Sequence, residues 1–436
     1  MDSQASEKAG VIPLGMDSGR RHDLDWLRVI AIYMLFPIHA AIVFSPLPFY
    51  HIRNGTTTRK VLIFMAFVEP WIMPLFFVLA GWGFYHSLRR RGSRGYLKRR
   101  VQHLLIPLLV GCAVLGPPIK YLELRSGFEA HYMSQCADSE FQQGFGPCIP
   151  QGPPRTPEFD ESFLAFWPTF FTDFYRFTWS HFWFLGYLFT FSVVGLPLLR
   201  WLAARRWKSP CRTAWIYLPM LPLLVIELLL RPHWPGFPNL HNDWANIAYF
   251  SICLLAGFLL AKYPGLEGTL QREWRRGLAL FLGGVLIRIL LGVAEYLGLA
   301  IAPPMVWSAA LVIASWGGTL ALVGLARQHL NHTTPLLEYL RASAYPVYFL
   351  HEAAVVCIGF WVVKLPLAGP VKFLLLLVSS FTVTLTVYHW VVRPALGAML
   401  GTSDRDGLVA HPGRAGSRGP DLRSGQPTLD KECDRV

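Results

Sequence analysis

Apolar stretches of about 20 residues recur ten times along this chain, and no other feature limits its fold as tightly. A helix needs roughly 20 apolar residues to cross the hydrocarbon core of a bilayer. Only helices and closed barrels satisfy their backbone polar groups there. The stretches are 26–46, 61–85, 102–122, 182–201, 213–230, 244–262, 277–298, 304–326, 343–363 and 369–392. They predict an all-α integral membrane protein of about ten transmembrane helices. Two stretches are weaker than the rest: 213–230 carries Glu227 and two prolines, and 304–326 follows Pro303 directly with Pro304. Prolines are tolerated in membrane helices, so both stay in the count. Composition agrees, because 15% of residues are charged, against about 25% in soluble domains.

Loop charges orient the spans. With the N-terminus cytoplasmic, the inside loops are 86–101, 202–212, 263–276 and 327–342. They hold most of the loop arginines and lysines, including Arg89, Arg90, Arg91, Arg94, Lys98, Arg99 and Arg100 in the first of them. The short outside loops hold only Arg53, Arg59, Lys60, Arg231 and Lys364. Positive residues favour the cytoplasmic side, so both termini are expected there. The same clustering explains the net charge of +13 without nucleic acid.

The chain divides into a polar N-terminal tail (1–22), a membrane domain (23–395) and a C-terminal tail (396–436) of disordered composition. Met1 to Gly19 has no apolar core, so a cleavable signal peptide is not expected. The long loop 123–181 falls outside, and there Cys136 and Cys148 suit a disulfide, the alternative being two free thiols. Phe163 to Phe177 is aromatic enough to lie along the membrane surface. We find no C-x-x-C, no H-E-x-x-H (His351-Glu352 lacks the second histidine) and no internal repeat; no metal site is expected.

The first span carries Asp25, Arg28 and His39. Ionisable groups inside a membrane helix are costly and point to function. Arg28 and His39 are eleven positions apart, about 20° past three full turns, so they share a face with about 16 Å between them. A packed histidine and a snorkelling arginine are the plain structural alternatives. Arg288 and Glu295, seven apart in the seventh span, suit an intramembrane ion pair. Glu227 and the His241-Asn242-Asp243 cluster are expected to face outside.

Asp25-Trp-Leu-Arg28 with His39 eleven residues after the arginine resembles the first-helix signature of the acyltransferase-3 family of bacterial membrane proteins. Four further segments match that family in order. Phe76-Phe77-Val78-Leu79-Ala80-Gly81 is similar to its FFxxSG stretch, and Lys98-Arg99-Arg100-Val-Gln-His103-Leu-Leu-Ile-Pro107 to its basic segment. His181-Phe-Trp-Phe-Leu185 resembles HxWFL, and Tyr345-Pro-Val-Tyr-Phe-Leu-His351 resembles YPxYxxH. Two positions depart: Ala80 stands where serine is usual, and His103 where a second arginine is common.

The resemblance implies a multi-pass enzyme of the bacterial inner membrane. It would move an acetyl, succinyl or similar group from cytoplasmic acyl-CoA to a hydroxyl of a glycan, glycolipid or related lipid-linked acceptor. An alcohol is a poor nucleophile at neutral pH, so a base titrating near 7 is needed, and His39 is the expected one. Glu69 is the candidate to orient it, and His351 to help position thioester or acceptor. Arg28, Arg99, Arg100 and His103 are expected to meet the donor's phosphates. The rival class is a transporter or flippase that moves a lipid or sugar without covalent change. A membrane sensor without catalysis is a third reading.

Overall fold

The computed structural model describes residues 20–46, 50–127, 159–173, 176–205, 213–234, 238–299 and 301–395. Cys136, Cys148 and most of both tails lie outside the described residues. Among the described residues every regular element is helical. In chain order they are α1 (His22–Ile42), α2 (Lys60–Arg100), α3 (Ile106–Val114), α4 (Gly116–Ser126) and α5 (Phe163–Thr172). Then follow α6 (Trp183–Val194), α7 (Leu196–Ala204), α8 (Ala214–Tyr217), α9 (Met220–Leu229) and α10 (Trp244–Lys262). The last four are α11 (Pro264–Tyr296), α12 (Pro304–His329), α13 (Pro335–Val362) and α14 (Gly369–Val387).

Seven helical runs among the described residues are long and apolar enough to cross a bilayer, and α6 with α7 forms an eighth as a pair bent by 60°. The difference from ten has two causes. Stretches 61–85 and 102–122 fall within or beside one helical run, Lys60–Val114, extended by α4. Inside it, Gly92 (φ 63°) interrupts the helical geometry of α2, a conformation that glycine reaches without a Cβ clash. Stretch 213–230 is split into the short helices α8 and α9, with Pro219 directly before α9 and Pro222 in its first turn.

Helix α12 is the innermost span, with 72% of its apolar window buried, whereas α11 buries only 22% of its own. Close crossings use small residues, which let backbones approach. A Cβ on Gly81 of α2 would overlap the Leu254 carbonyl oxygen of α10, and one on Gly257 would overlap the Val78 carbonyl oxygen. Beside that crossing Phe77 stacks on Phe250 at 4.4 Å. The FFVLAG segment is therefore a helix-crossing element. The apolar interior falls into two clusters. The larger includes Phe77, Phe182, Tyr348 and Trp316. The smaller includes Phe36, Ala40, Val347 and Val355.

Candidate active site

Parallel packing of α1 and α13 sets two polar groups in register. At one end Asp25 lies 3.6 Å from the guanidinium of Arg341. At the other, the Nδ1 of His39 lies 4.0 Å from the Oε1 of Glu352. The spacings, fourteen residues on α1 and eleven on α13, keep both pairs on the contact face of their helices.

At the His39 end, three imidazoles surround one carboxylate. Glu352 is 3% exposed. Its Oε2 lies 2.7 Å from the Nδ1 of His181, and its Oε1 lies 3.4 Å from the Nε2 of His51. The His351 ring is 5.0 Å from that of His39 and 4.9 Å from that of His181. His351 is completely buried, and its Nδ1 donates to the Tyr348 carbonyl at 2.7 Å. That bond fixes the neutral tautomer and leaves Nε2 as a bare acceptor. Among the described residues, His351 Nε2, His181 Nε2 and His39 Nδ1 are buried without a hydrogen-bond partner. Buried polar atoms are normally paired, so their grouping marks a place built to meet another polar group.

The site sits where the two apolar clusters meet. Phe36 packs edge-on against His351 from the smaller cluster, and Phe182 packs against His181 from the larger. Ser180, next to His181, adopts the left-handed region (φ 47°) and brings its Oγ to 3.3 Å from the His51 Nε2. A non-glycine residue there costs about 1 kcal/mol, a strain typical of functional segments.

Outside the helices, His51 lies in the connection between α1 and α2. Its Nδ1 contacts Glu123 of α4, and the Lys120 Nζ reaches the other oxygen of Glu123 at 2.7 Å. Burial alone would push the His51 imidazole down, but Glu123 and Glu352 outweigh it and raise it to about 9. Burial would likewise raise the Glu123 carboxyl, but His51 and Lys120 hold it down to about 2.

At the other end of α1, Asp25 faces three guanidiniums, with Arg20 and Arg28 at 3.0 Å and Arg341 at 3.6 Å. One carboxylate cannot neutralise three cations, so the patch suits an anion. Arg100 instead lies over the rings of Phe84 (4.0 Å) and Tyr96 (4.8 Å), while Arg99 and His103 are exposed. His103 belongs to a widened π turn, Val101–Leu105, whose His103 carbonyl accepts the Tyr345 hydroxyl at 3.1 Å. One turn along α13, the Tyr348 hydroxyl donates to the His181 carbonyl at 2.9 Å. The YPxYxxH-like segment thus ties the basic segment to the HxWFL-like segment.

The structure brings together His39 and His351 but not Glu69. Glu69 is 58% exposed and pairs with Arg288 at 3.1 Å, so Glu352 is the carboxylate beside His39. Arg288 accordingly does not pair with Glu295, which accepts the indole N–H of Trp307 at 2.9 Å. Glu227 of α9 pairs with Arg231 at 2.8 Å, Arg231 donates to Asn246 of α10, and Asn246 donates to Asp243 at 2.6 Å, so both carboxylates belong to one local network between α9 and α10. Sequence reasoning missed Glu352, although a carboxylate inside an apolar stretch was a signal. His51 and Glu123 carried no such signal, since both lie in or beside loops.

His39, His351 and Glu352 each offer a ligand atom within 4.8 Å of the others. Tetrahedral zinc with bonds of about 2.0–2.1 Å needs ligand atoms roughly 3.4 Å apart. The same three groups also suit a base, its partner and a substrate hydroxyl.

Residues 21–389 match the family model described as an acyltransferase domain. Among curated proteins, the chain is similar to the glucans biosynthesis protein C of Salmonella heidelberg (strain SL476) and of Salmonella agona (strain SL483). Each is 23% identical over 214 residues, which cover 48% of this chain and 47% of the relative. The chain thus spans about half the length of the curated relatives it matches. No solved structure matches it. The family match takes in nearly all the membrane helices and every residue of the buried cluster, and the chain belongs to the acyltransferase-3 family.

Proposed function

We propose that this protein is a membrane O-acyltransferase that moves an acyl group from cytoplasmic acyl-CoA to a hydroxyl of a glycan or lipid-linked acceptor. The observation that carries this reading is the convergence of His39, His181 and His351 on the buried Glu352. His39 takes the proton of the acceptor hydroxyl, and the Glu352 carboxylate, 4.0 Å from its Nδ1, stabilises the imidazolium that forms. The new oxygen attacks the thioester carbonyl, the C–O bond forms and the C–S bond breaks. The proton passes to the departing thiolate, so no proton is gained or lost overall. His351, whose Nε2 has no partner of its own among the described residues, accepts a hydrogen bond from a second hydroxyl of the acceptor and sets its position.

The donor's phosphates meet Arg28 and Arg341, with Arg20 beside them. Arg99, Arg100 and His103 lie on the neighbouring basic segment. With the N-terminus inside, this cationic end of α1 lies at the cytoplasmic face of an inner membrane, and the histidine cluster lies toward the outer half. A glucan is the acceptor suggested by the name of the relatives, glucans biosynthesis protein C. The test is mass spectrometry of envelope glycans and lipids from cells with and without the gene. A missing ester names both acyl group and acceptor, whereas unchanged esters together with altered transport of an intact lipid or sugar would favour a flippase.

A further inference from the structure

We propose that His51, in the connection between α1 and α2, is a positioning residue of the acyl-transfer site, acting as an imidazolium clamped between Glu352 and Glu123. The proposal rests on the acyl-transfer reading above and adds a residue outside every recognised sequence segment. A neutral imidazole has one N–H, yet both ring nitrogens of His51 face carboxylates, Nδ1 toward Glu123 and Nε2 toward Glu352 at 3.4 Å. A neutral ring would accept from Ser180 at Nε2, 3.3 Å away, and give Glu352 no donor, so only the cation donates to both carboxylates.

Charge counting gives the role. The ring meets Tyr50, Glu123, Ser180 and Glu352 directly, and the network continues through Lys120 and Ser126 on α4, His181 before α6, His39 on α1, and Tyr348 and His351 on α13. Two carboxylates, Glu123 and Glu352, face two cations, Lys120 and His51, so these charges balance. An unbalanced buried carboxylate is costly and takes a proton or draws one onto a neighbour. Without the His51 charge, Glu352 would draw a proton onto the adjacent His39, and a protonated His39 cannot act as base. His51 keeps its own proton throughout the reaction. Its elevation to about 9 agrees with this and keeps it charged across the physiological range.

The experiment compares wild type, His51→Gln and His51→Lys, purified in lipid nanodiscs, by thiol release from acetyl-CoA and succinyl-CoA with β-glucan oligosaccharides as acceptors. For His51→Gln we expect the acid limb of the rate profile to move up by about one pH unit, giving roughly tenfold lower kcat on that limb. KM for the donor should stay within about twofold and activity should recover toward high pH. His51→Lys restores the charge and should return the limb toward its wild-type position. A loss in His51→Gln that is equal at every pH, or a profile identical to wild type, overturns the proposal. So does a folded His51→Lys that behaves like His51→Gln. A wild type that releases no thiol from either donor sinks the acyl-transfer reading itself, and this proposal with it. Turnover by wild type with unmoved His51 variants sinks the proposal alone.

Discussion

The Oε2 of Glu352 and the Nδ1 of His181 lie 2.7 Å apart, although one belongs to the middle of α13 and the other to the turn that opens α6. That contact joins two segments which in sequence are separate motifs, and it leaves Glu352 one further oxygen for His39 and His51. One carboxylate therefore organises the buried polar centre of the protein.

Removing that organiser should affect catalysis more than its neighbours' packing. Glu352→Gln keeps the shape but not the charge, and we expect kcat to fall about 10²–10³-fold with the donor KM little changed. His39→Ala should lose at least as much. The His39→Ala/Glu352→Gln double variant should be scarcely worse than His39→Ala, because groups acting as a unit are not additive. Thiol-release kinetics with a thermal-unfolding control check this, and full additivity would mean the two act separately.

Glu69→Gln should leave acyl transfer within about threefold of wild type. Its carboxylate pairs with Arg288 on a half-exposed face, and exposed ion pairs contribute about 0–1 kcal/mol. A large loss of kcat would return Glu69 to the site.

The cationic end should act on donor binding. Arg28→Ala and Arg341→Ala should each raise KM for acetyl-CoA about tenfold, the value of one lost charge-assisted contact. KM for a truncated thioester lacking the nucleotide, such as S-acetyl-N-acetylcysteamine, should stay unchanged. Equal changes for both donors would remove the phosphates from the account.

Stability should depend on pH through the loop carboxylate and imidazole. His51 titrates near 6.5 when unfolded and about 9 when folded, so its contribution is complete below about pH 6.5 and is lost as pH rises through 9. Glu123 moves the other way, from 4.5 to about 2, so its contribution is complete above pH 4.5 and lost as pH falls toward 2. Thermal unfolding in detergent should be most favourable between these limits. The alkaline decline should shrink in His51→Gln. An alkaline decline of the same size in that variant would show that other groups cause it.

The crossing of α2 and α10 should be sensitive to a single methyl group. A Cβ on Gly81 would overlap backbone rather than a movable side chain, so Gly81→Ala should destabilise by about 1–3 kcal/mol. A lowered midpoint of thermal unfolding is the expected readout, with the acetyl-CoA KM retained in whatever protein folds.

The sequence by itself determined the membrane class, most of the long helices and the likeness of five segments to one family. Those features depend on local apolar runs and short spacings, and periodicity reports these directly. It also picked out His39, His351, Arg28 and the basic segment, because ionisable groups in or beside apolar spans stand out. Only the tertiary structure decided the partners. Periodicity says which face a residue occupies, but not which helix lies opposite. Glu352 and Glu69 were thus equally available to His39 until α13, and not α2, brought its carboxylate to that side chain. His51 and Glu123 joined the site through a loop and a short helix that have no periodic signature, drawn in because buried carboxylates need a cation beside them.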